Sequence, residues 1–390
     1  VLKNKSVLLG VTGGVAAYKT IDLTRRLTEN GASVTVVMTD AAKNFVTPLS
    51  LEIASGNKVY TDLFSSPMAH IDLPARSGIL VIAPATANII AKIANGISDD
   101  LLSTCILSFR GKMIIAPSMN WRMYENPAVQ NNLKTLMDRG VVRVGPEKGA
   151  LACGEEGMGR MSDVRDIIRA IEFQFAEKDL LNERILVTAG PTREYLDPVR
   201  FLSNRSSGKM GYAIAEAALR RGAEVTLISG FSPLQRPGGI KFISADTSLD
   251  MFRAVLRELR LSTVLIMSAA VSDFMPAEKS DDKIGKSGEF LLRLKPAPDI
   301  LSEIGRMEKR PFIIGFSAET GKKVGNAKKK LREKNMDMIV FNDITEEGSG
   351  FDTDTNKVVI IDKIKDTELP LLSKDEVADA LLDRMAEIKA

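Results

Sequence analysis

Three residues in the first half of the chain could do chemistry that a scaffold does not need. His70 is the sole histidine, and Asn120 follows Pro117-Ser118-Met119 directly after the apolar run Lys112–Ala116. Cys153 sits in a glycine-laden stretch from Gly149 to Met161 that also holds Gly154, Gly157 and Gly159. An imidazole can move a proton near neutral pH. A carboxamide can hold a carboxylate through its N–H₂ group, and a thiol can donate a proton. The glycines predict a mobile loop, so that Cys153 rides on a lid. Each has a plain alternative: His70 as a surface or hydrogen-bonded residue, Asn120 as a turn cap, the loop thiol as inert. Cys105, within Leu101–Leu107, reads as core.

Other clusters suit phosphate-bearing ligands. Gly13 and Gly14 break an apolar run before a helical pattern, where backbone N–H groups and a helix start can meet a phosphate. Thr86 and Asn88 follow another apolar run in the same way, the usual crevice position in an open α/β sheet. There is no G-x-G-x-x-G, and the second strand ends Met38-Thr39-Asp40 without an acid in the ribose position, so NAD is disfavoured against a mononucleotide such as FMN. In the second half, Asn204-Arg205-Ser206-Ser207-Gly208-Lys209 leads into a helix. It partly matches a P-loop, but Lys209 is followed by Met210, which excludes a Walker site. Ser268, Ala269 and Asp273 close a strand, Lys283 and Lys286 lie in a polar loop, and Lys330 and Lys334 share one helix face. Those two like charges repel unless an anion lies between them or they splay apart.

Composition removes several classes. With 390 residues, two or three domains are expected. The 53 Lys+Arg against 50 Asp+Glu leave a net charge of +3, no footprint of a nucleic-acid binder. Two cysteines outside any C-x-x-C and a single histidine exclude a disulfide scaffold and a zinc site with two histidines. No apolar run reaches the ~18 residues of a membrane span. Lys3, Lys5 and Val7–Val11 could open a secretory signal, but the segment runs straight into an amphipathic pattern, so the expected location is cytoplasmic.

The elements that must position these residues follow a repeated plan. Val7–Val11 predicts a buried parallel strand, Ala16–Thr28 a helix ended at Asn30-Gly31, and Ser33–Met38 the next strand. The pattern returns at Ile185–Ala189, and Arg221-Gly222-Ala223-Glu224-Val225-Thr226 nearly superposes on Asn30–Thr35. Further strands are expected at Ile79–Ala83, Lys112–Ala116, Val141–Val144, Val264–Ser268, Phe312–Phe316, Met338–Val340 and Lys357–Ile361. Helices are expected at Ala87–Ala94, Pro127–Asp138, Val164–Leu181, Ala327–Lys334 and Lys374–Ile388, with a mobile loop over Pro276–Leu291. The fold class is α/β, with two Rossmann-like domains over residues 1–182 and 183–390.

On these motifs the chain resembles a known family. Gly13-Gly14-Val15-Ala16-Ala17-Tyr18-Lys19, Pro117-Ser118-Met119-Asn120-Trp121-Arg122-Met123-Tyr124 and the Cys153 loop are similar to the FMN-dependent phosphopantothenoylcysteine decarboxylases. The second half resembles phosphopantothenate–cysteine ligase, so residues 3 to 388 look like the bifunctional enzyme of coenzyme A biosynthesis. Tyr124 stands where the family commonly has Trp, and Gly285 where it often has Lys. The resemblance implies an N-terminal flavodoxin-like flavoprotein domain and a C-terminal nucleotide-binding ligase domain.

Its implied decarboxylation passes a hydride from the sulfur-bearing carbon to the flavin, giving a thioaldehyde that accepts the electrons of CO₂ loss. Hydride return then reduces the enethiol. His70 would assist the oxidation, Asn120 hold the substrate carboxylate and Cys153 donate the final proton. Gly13, Gly14, Thr39, Thr86, Asn88 and Ser118 would bind FMN. The implied ligase activates 4′-phosphopantothenate with CTP as an acyl-cytidylate, which the cysteine amine attacks. Lys283 would stabilise charge during activation and Asn204 the acyl-cytidylate. Ser268, Ala269, Asp273, Lys283, Pro298, Asp299, Ile300, Phe316, Lys330 and Lys334 would line the CTP pocket, with Mg²⁺ on the phosphates. A homo-oligomer is also implied, with flavin sites between subunits: trimers of the first half joined through dimers of the second. The implied partners are small molecules, with no nucleic acid and no membrane. Two rival readings are a non-catalytic phosphatase-inhibitory subunit and a flavin decarboxylase of peptide cysteines. The first expects His or lid Cys to be lost, and the second needs no CTP pocket.

Overall fold

A computed structural model of the chain describes every residue except 1, 65–66, 151–153, 287, 289, 322–323, 351 and 390. The chain divides into two compact units, Val1–Ala176 and Glu177–Ala390. In the first, the apolar runs become a parallel sheet of β1 (Ser6–Val11), β2 (Ser33–Met38), β3 (Val59–Tyr60), β4 (Ile79–Ala85), β5 (Lys112–Pro117) and β6 (Val142–Arg143). Their spatial order is β3-β2-β1-β4-β5-β6. Side chains alternate across a strand, and both faces are covered. Val7, Leu9 and Val11 enter one core with Leu23, Leu27 and Ile167. Leu8 enters the other with Ile89, Leu102 and Cys105. Two-sided burial is why these strands read as unbroken apolar runs.

The order 3-2-1-4-5-6 is that of a Rossmann sheet. Without the two-residue β3 it would read 2-1-3-4-5, the flavodoxin order, so the two expected descriptions differ by one short edge strand. The helix expected over Ala16–Thr28 opens as a 3₁₀ turn, Val15–Tyr18, and is α-helical over Lys19–Glu29. Helices Pro48–Ser55 and Ala69–Ala75, and the hairpin of β7 (Glu147–Ala150) with β8 (Glu156–Arg160), carry no sequence signal strong enough to predict them. Helix Val164–Phe175 stops short of the expected Leu181. The reason is tertiary. Leu180 is buried in the core of the second unit, and Asp179 pairs there with Arg221, so the chain must leave the helix first.

The second unit repeats the plan. Its main sheet runs Lys241–Ser244, Glu224–Ser229, Arg184–Ala189, Val264–Met267, Phe312–Glu319, Met338–Asp343, Val358–Asp362 and Asp366–Glu368 in spatial order. The first six strands are parallel and again ordered 3-2-1-4-5-6 along the chain. The last two close the edge as antiparallel neighbours. Ile185 and Val187 enter one core and Leu186 the other. The terminal helix, Lys374–Lys389, buries Val377, Leu381, Leu382 and Met385.

One buried ion pair ties that helix to the antiparallel edge. Asp362, whose side chain is 2% exposed, accepts from Arg384 Nε at 2.8 Å and from the backbone N–H groups of Ile364 and Lys365 at 2.6 and 3.0 Å. Burial alone would raise its carboxyl, but Arg384 and the two N–H groups outweigh that and hold the pKa below the ordinary aspartate value of 3.8. A depressed folded pKa contributes stability in full above the ordinary value and loses it as pH falls through the folded one. Asp362→Ala should therefore cost about 1–3 kcal/mol at pH 7, because it removes the acceptor of Arg384 Nε and of two backbone N–H groups, although Glu387 still pairs with Arg384 at 2.7 Å. The loss should shrink below pH 4. Urea unfolding of both proteins across pH 3–7 checks this; a pH-independent difference would refute the pairing.

Candidate functional site

In each unit the two central parallel strands send their following helices to opposite faces. In the first, Leu23 and Leu27 of the helix after β1 join one core, and Ile89 and Ile90 of the helix after β4 join the other. The parting leaves a crevice beyond the strand ends, the general ligand position of such sheets. A cavity of about 960 Å³ lies there, at the upper end of the usual range for small-ligand sites. Gly13, Gly14, Thr39, Thr86, Asn88, Ser118 and Asn120 all line it.

Each lining residue has a local cause. Thr12, 2% exposed, donates from Oγ1 to Pro84 O at 2.6 Å and so stitches the ends of β1 and β4 together. Gly13 is required by close approach: a Cβ there would stand 2.4 Å from Ala41 Cβ, whereas Gly14 has ordinary space. Thr86 caps helix Ala87–Asn95, its Oγ1 accepting from Ile89 N. Asn120 caps helix Trp121–Tyr124, its Oδ1 accepting from Arg122 N at 2.9 Å, so its amide plane is fixed at the cavity wall. Thr39 differs: its Oγ1 is buried and has no hydrogen-bond partner among the described residues. Leaving such a group unpaired costs about 1–3 kcal/mol.

The hairpin β7–β8 closes over the Asn120 turn. Met119 N donates to Gly159 O at 3.0 Å. Cβ atoms at Gly157 and Gly159 would stand 2.6 Å from Trp121 Cβ and 2.1 Å from Met119 O. Only glycine permits that approach. Glu155 accepts from Trp121 Nε1 at 2.7 Å and pairs with Arg122 at 2.8 Å. Cys153 itself lies outside the described residues. His70, on helix Ala69–Ala75, is not part of the cavity lining; its carbonyl accepts from Ser108 Oγ. Cys105 is fully buried, and burial pushes its thiol up to about 12, so it is no proton donor at neutral pH.

Lys19, Lys92, Arg160, Asp40 and Asp100 also line the cavity, and the sequence did not single them out. Burial, followed by the charge of Arg160, lowers the Lys19 ammonium, which bonds Met161 O at 3.1 Å. Lys92 is held by Asp99 at 2.6 Å and Asp100 at 3.0 Å. A lysine beside the glycine turn and an arginine in the loop were visible signals, but any exposed charge looks alike in sequence.

In the second unit, Asn204 Nδ2 donates to Val271 O at 3.0 Å and Ala270 O at 3.4 Å, which joins it to the Ser268–Asp273 turn. Ala269 N in turn donates to Thr188 Oγ1, and Ser272 N to Thr192 Oγ1. Ile300 is 3% exposed, so it offers backbone rather than side chain, and Phe316 is half-buried against the core. Pro298 immediately precedes Asp299, which caps the helix Ile300–Gly305. Lys330 and Lys334 splay apart: Lys330 bonds Glu319 at 2.8 Å and Ser317 at 3.1 Å, and Lys334 bonds Asp299 at 2.9 Å. Carboxylates thus meet both charges separately. Lys283 is exposed, but its neighbour Ile284 is anchored: Ile284 N donates to Asp197 Oδ2 at 3.1 Å and Ile284 O accepts from Arg200 at 2.9 Å. Asp197, fully buried, also accepts from Val199 N and Arg200 N at 2.7 Å. Burial raises its carboxyl, yet these N–H bonds prevail and hold it low.

Comparison with known proteins follows this geometry. The Flavoprotein family matches residues 1–175, and the DNA/pantothenate metabolism flavoprotein C-terminal domain matches residues 180–388. The Coenzyme A biosynthesis bifunctional protein CoaBC of Vibrio cholerae is 44% identical over 394 residues, covering 99% of each chain. The protein of that description from Bacillus subtilis is 44% identical over 399 residues, covering 99% of this chain and 98% of its own. A solved C-terminal domain of a Coenzyme A biosynthesis bifunctional protein CoaBC is 41% identical, with a TM-score of 0.48, covering 55% of this chain and 98% of its own.

The orphaned hydroxyl makes a prediction whose sign separates folding from binding. Thr39→Val removes an unpaired buried oxygen at constant shape, so ligand-free protein should become more stable, by about 1 kcal/mol. Occupancy of the cavity should at the same time change little, because Oγ1 itself is buried. Urea unfolding with and without ligand reads both; loss of stability in the ligand-free variant would show that Oγ1 already has a partner.

Proposed function

The chain belongs to the family of bifunctional coenzyme A biosynthesis proteins, and from that premise we propose that its two units catalyse consecutive steps. Residues 177–390 couple 4′-phosphopantothenate to cysteine at the expense of CTP. Residues 1–176 then decarboxylate the product, phosphopantothenoylcysteine, with FMN. The observation that carries the reading is the cavity at the β1–β4 parting of the flavoprotein unit, lined by Gly13, Gly14, Thr86, Asn88, Ser118 and Asn120.

The residues present fit a flavin mononucleotide. Backbone around Gly13 and Gly14 and the capped start of helix Ala87–Asn95 face one end, and Lys19 and Arg160 add positive charge for a phosphate. Bound FMN supplies a reversible two-electron sink, without which CO₂ loss would leave an unstabilised carbanion. Asn120, oriented by its bond to Arg122 N, presents its amide to the substrate carboxylate. Cys153 delivers a proton, while the β7–β8 hairpin keeps water off the site. His70 reaches the cavity from a neighbouring copy, which gives the homo-oligomer a catalytic reason.

In the ligase, Asn204 is held against the Ser268–Asp273 turn to meet the acyl-cytidylate. Lys283 projects from a loop whose base Asp197 secures. Lys330 and Lys334, each already on a carboxylate, would exchange those contacts for the triphosphate. Mg²⁺ enters on the phosphates of CTP, the usual mode for a hard cation that keeps several waters. No described helix is long and apolar enough to cross a membrane.

Purified protein given 4′-phosphopantothenate, cysteine and CTP should release pyrophosphate, CMP and CO₂; exclusive use of ATP, or a colourless protein that gains no flavin absorbance with FMN, would overturn the reading. The shared-site claim has its own test. His70→Asn and Asn120→Asp should each abolish decarboxylation, and co-assembled mixtures of the two should recover part of it. No recovery in mixed oligomers would place both residues on one chain.

A further inference from the structure

The ligase reading above assigns a role to Asn204 but leaves unexplained how an exposed turn keeps that side chain in place. Both ends of the turn are tied to one loop. Arg205 Nη2 pairs with Asp352 Oδ2 at 2.7 Å. Lys209 Nζ donates to Asp352 O at 3.0 Å and to Asp354 Oδ1 at 2.7 Å. The carboxylates are 61% and 89% exposed, and exposed pairs contribute little by themselves because water competes for both charges. Something stiffer must hold the loop.

That group is Lys374, the first residue of the terminal helix, which is 6% exposed. Its Nζ donates to Thr353 O at 2.7 Å and Gly350 O at 3.1 Å, and its backbone N donates to Asp354 O at 3.0 Å. Thr353 Oγ1 donates to Thr355 O at 2.9 Å, and Thr355 Oγ1 to Gly348 O at 2.7 Å, so the loop is braced internally as well. A lysine is seldom buried unless bonded. Burial, then the nearby charge of Lys209, pushes this ammonium down to about 8, with Asp354 and Asp352 acting the other way. The fold tolerates that cost where an apolar residue would have been cheaper. What the ammonium provides is a fixed position for two carbonyls that a methylene chain could not hold.

We infer that Lys374 is a positioning residue of the ligase: by pinning the turn that carries Asp352 and Asp354, it fixes Arg205 and Lys209 and thereby the backbone that carries the adjacent Asn204 side chain to Val271 O. The inference rests on the ligase reading, and it concerns residues that contact no reacting atom. A displaced Asn204 would lose contact with the transition state more than with bound nucleotide, so kcat should suffer and KM for CTP should not.

The test uses the full chain and follows pyrophosphate release, with decarboxylation of supplied phosphopantothenoylcysteine as an internal control. Lys374→Met should lower ligase kcat by about tenfold with KM for CTP nearly unchanged, leave decarboxylation intact, and be largely rescued by Lys374→Arg. The double variant Asp352→Asn/Asp354→Asn, altered only at exposed carboxylates, should show the same split at about threefold, and it decides the matter if the Met variant fails to fold. Unchanged kcat in the double variant, or equal loss of both activities in the variants, would overturn the inference. If wild-type protein releases no pyrophosphate from CTP, the ligase reading fails instead.

Discussion

The cavity of the first unit depends on the parting of two adjacent parallel strands. Helices that leave neighbouring strands toward opposite faces cannot fill the space above the strand ends. That space is walled by backbone N–H groups, helix starts and whatever short side chains end the strands. In the first unit the opening is kept in register by one buried hydroxyl, Thr12, bonded across to the carbonyl of Pro84. Thr39, at the end of the neighbouring strand, has no such partner. A well-packed protein retains few buried polar atoms of that kind, and this one belongs to a residue that lines the cavity.

The second unit meets the same constraint with charge. Its parallel strands are ordered identically, but the turns beyond them carry lysines, arginines and carboxylates rather than a preformed apolar wall. Lys330 with Glu319 and Lys334 with Asp299 are half-exposed pairs, weak enough to be exchanged for a stronger anion. The groups that hold the scaffold are the buried ones: Asp197 beneath the Ile284 loop, Asp362 with Arg384, and Lys374 beneath the Thr353 turn. Buried charge fixes the backbone, and the exposed pairs are left exchangeable.

Cys105 is packed in one core with Leu102 and Ile106, and its thiol stays protonated far above neutral pH. The hairpin β7–β8 is stapled, through Gly157, Gly159 and Glu155, to the turn and helix that Asn120 caps. A sealed core and a close backbone approach are thus built within one unit from small and apolar residues alike.

Much of this was legible in the sequence, and the reason is locality. A parallel strand buried on both faces is an uninterrupted apolar run, so Val7–Val11, Ile79–Ala83 and Ile185–Ala189 announce themselves. The residue that follows such a run stands at the strand end wherever the sheet goes. That is why Thr39, Thr86, Asn88, Ser118 and Asn120 could be named as neighbours before any contact was known. Short elements such as Val59–Tyr60 and Ala69–Ala75 escaped, because their stability comes from partners distant in the chain. So did the end of helix Val164–Phe175, which the burial of Leu180 in the other unit's core decides. The sequence by itself determined the alternation of strands and helices, the two repeated openings and the residues at the strand ends, since each is a property of a few consecutive residues. Only the tertiary structure decided that Lys330 and Lys334 part, that His70 lies away from the cavity and that Asp197 and Lys374 sit beneath the loops they hold. Each of those outcomes is set by groups that arrive from 11 to 87 residues away, and no local pattern encodes which of them will meet.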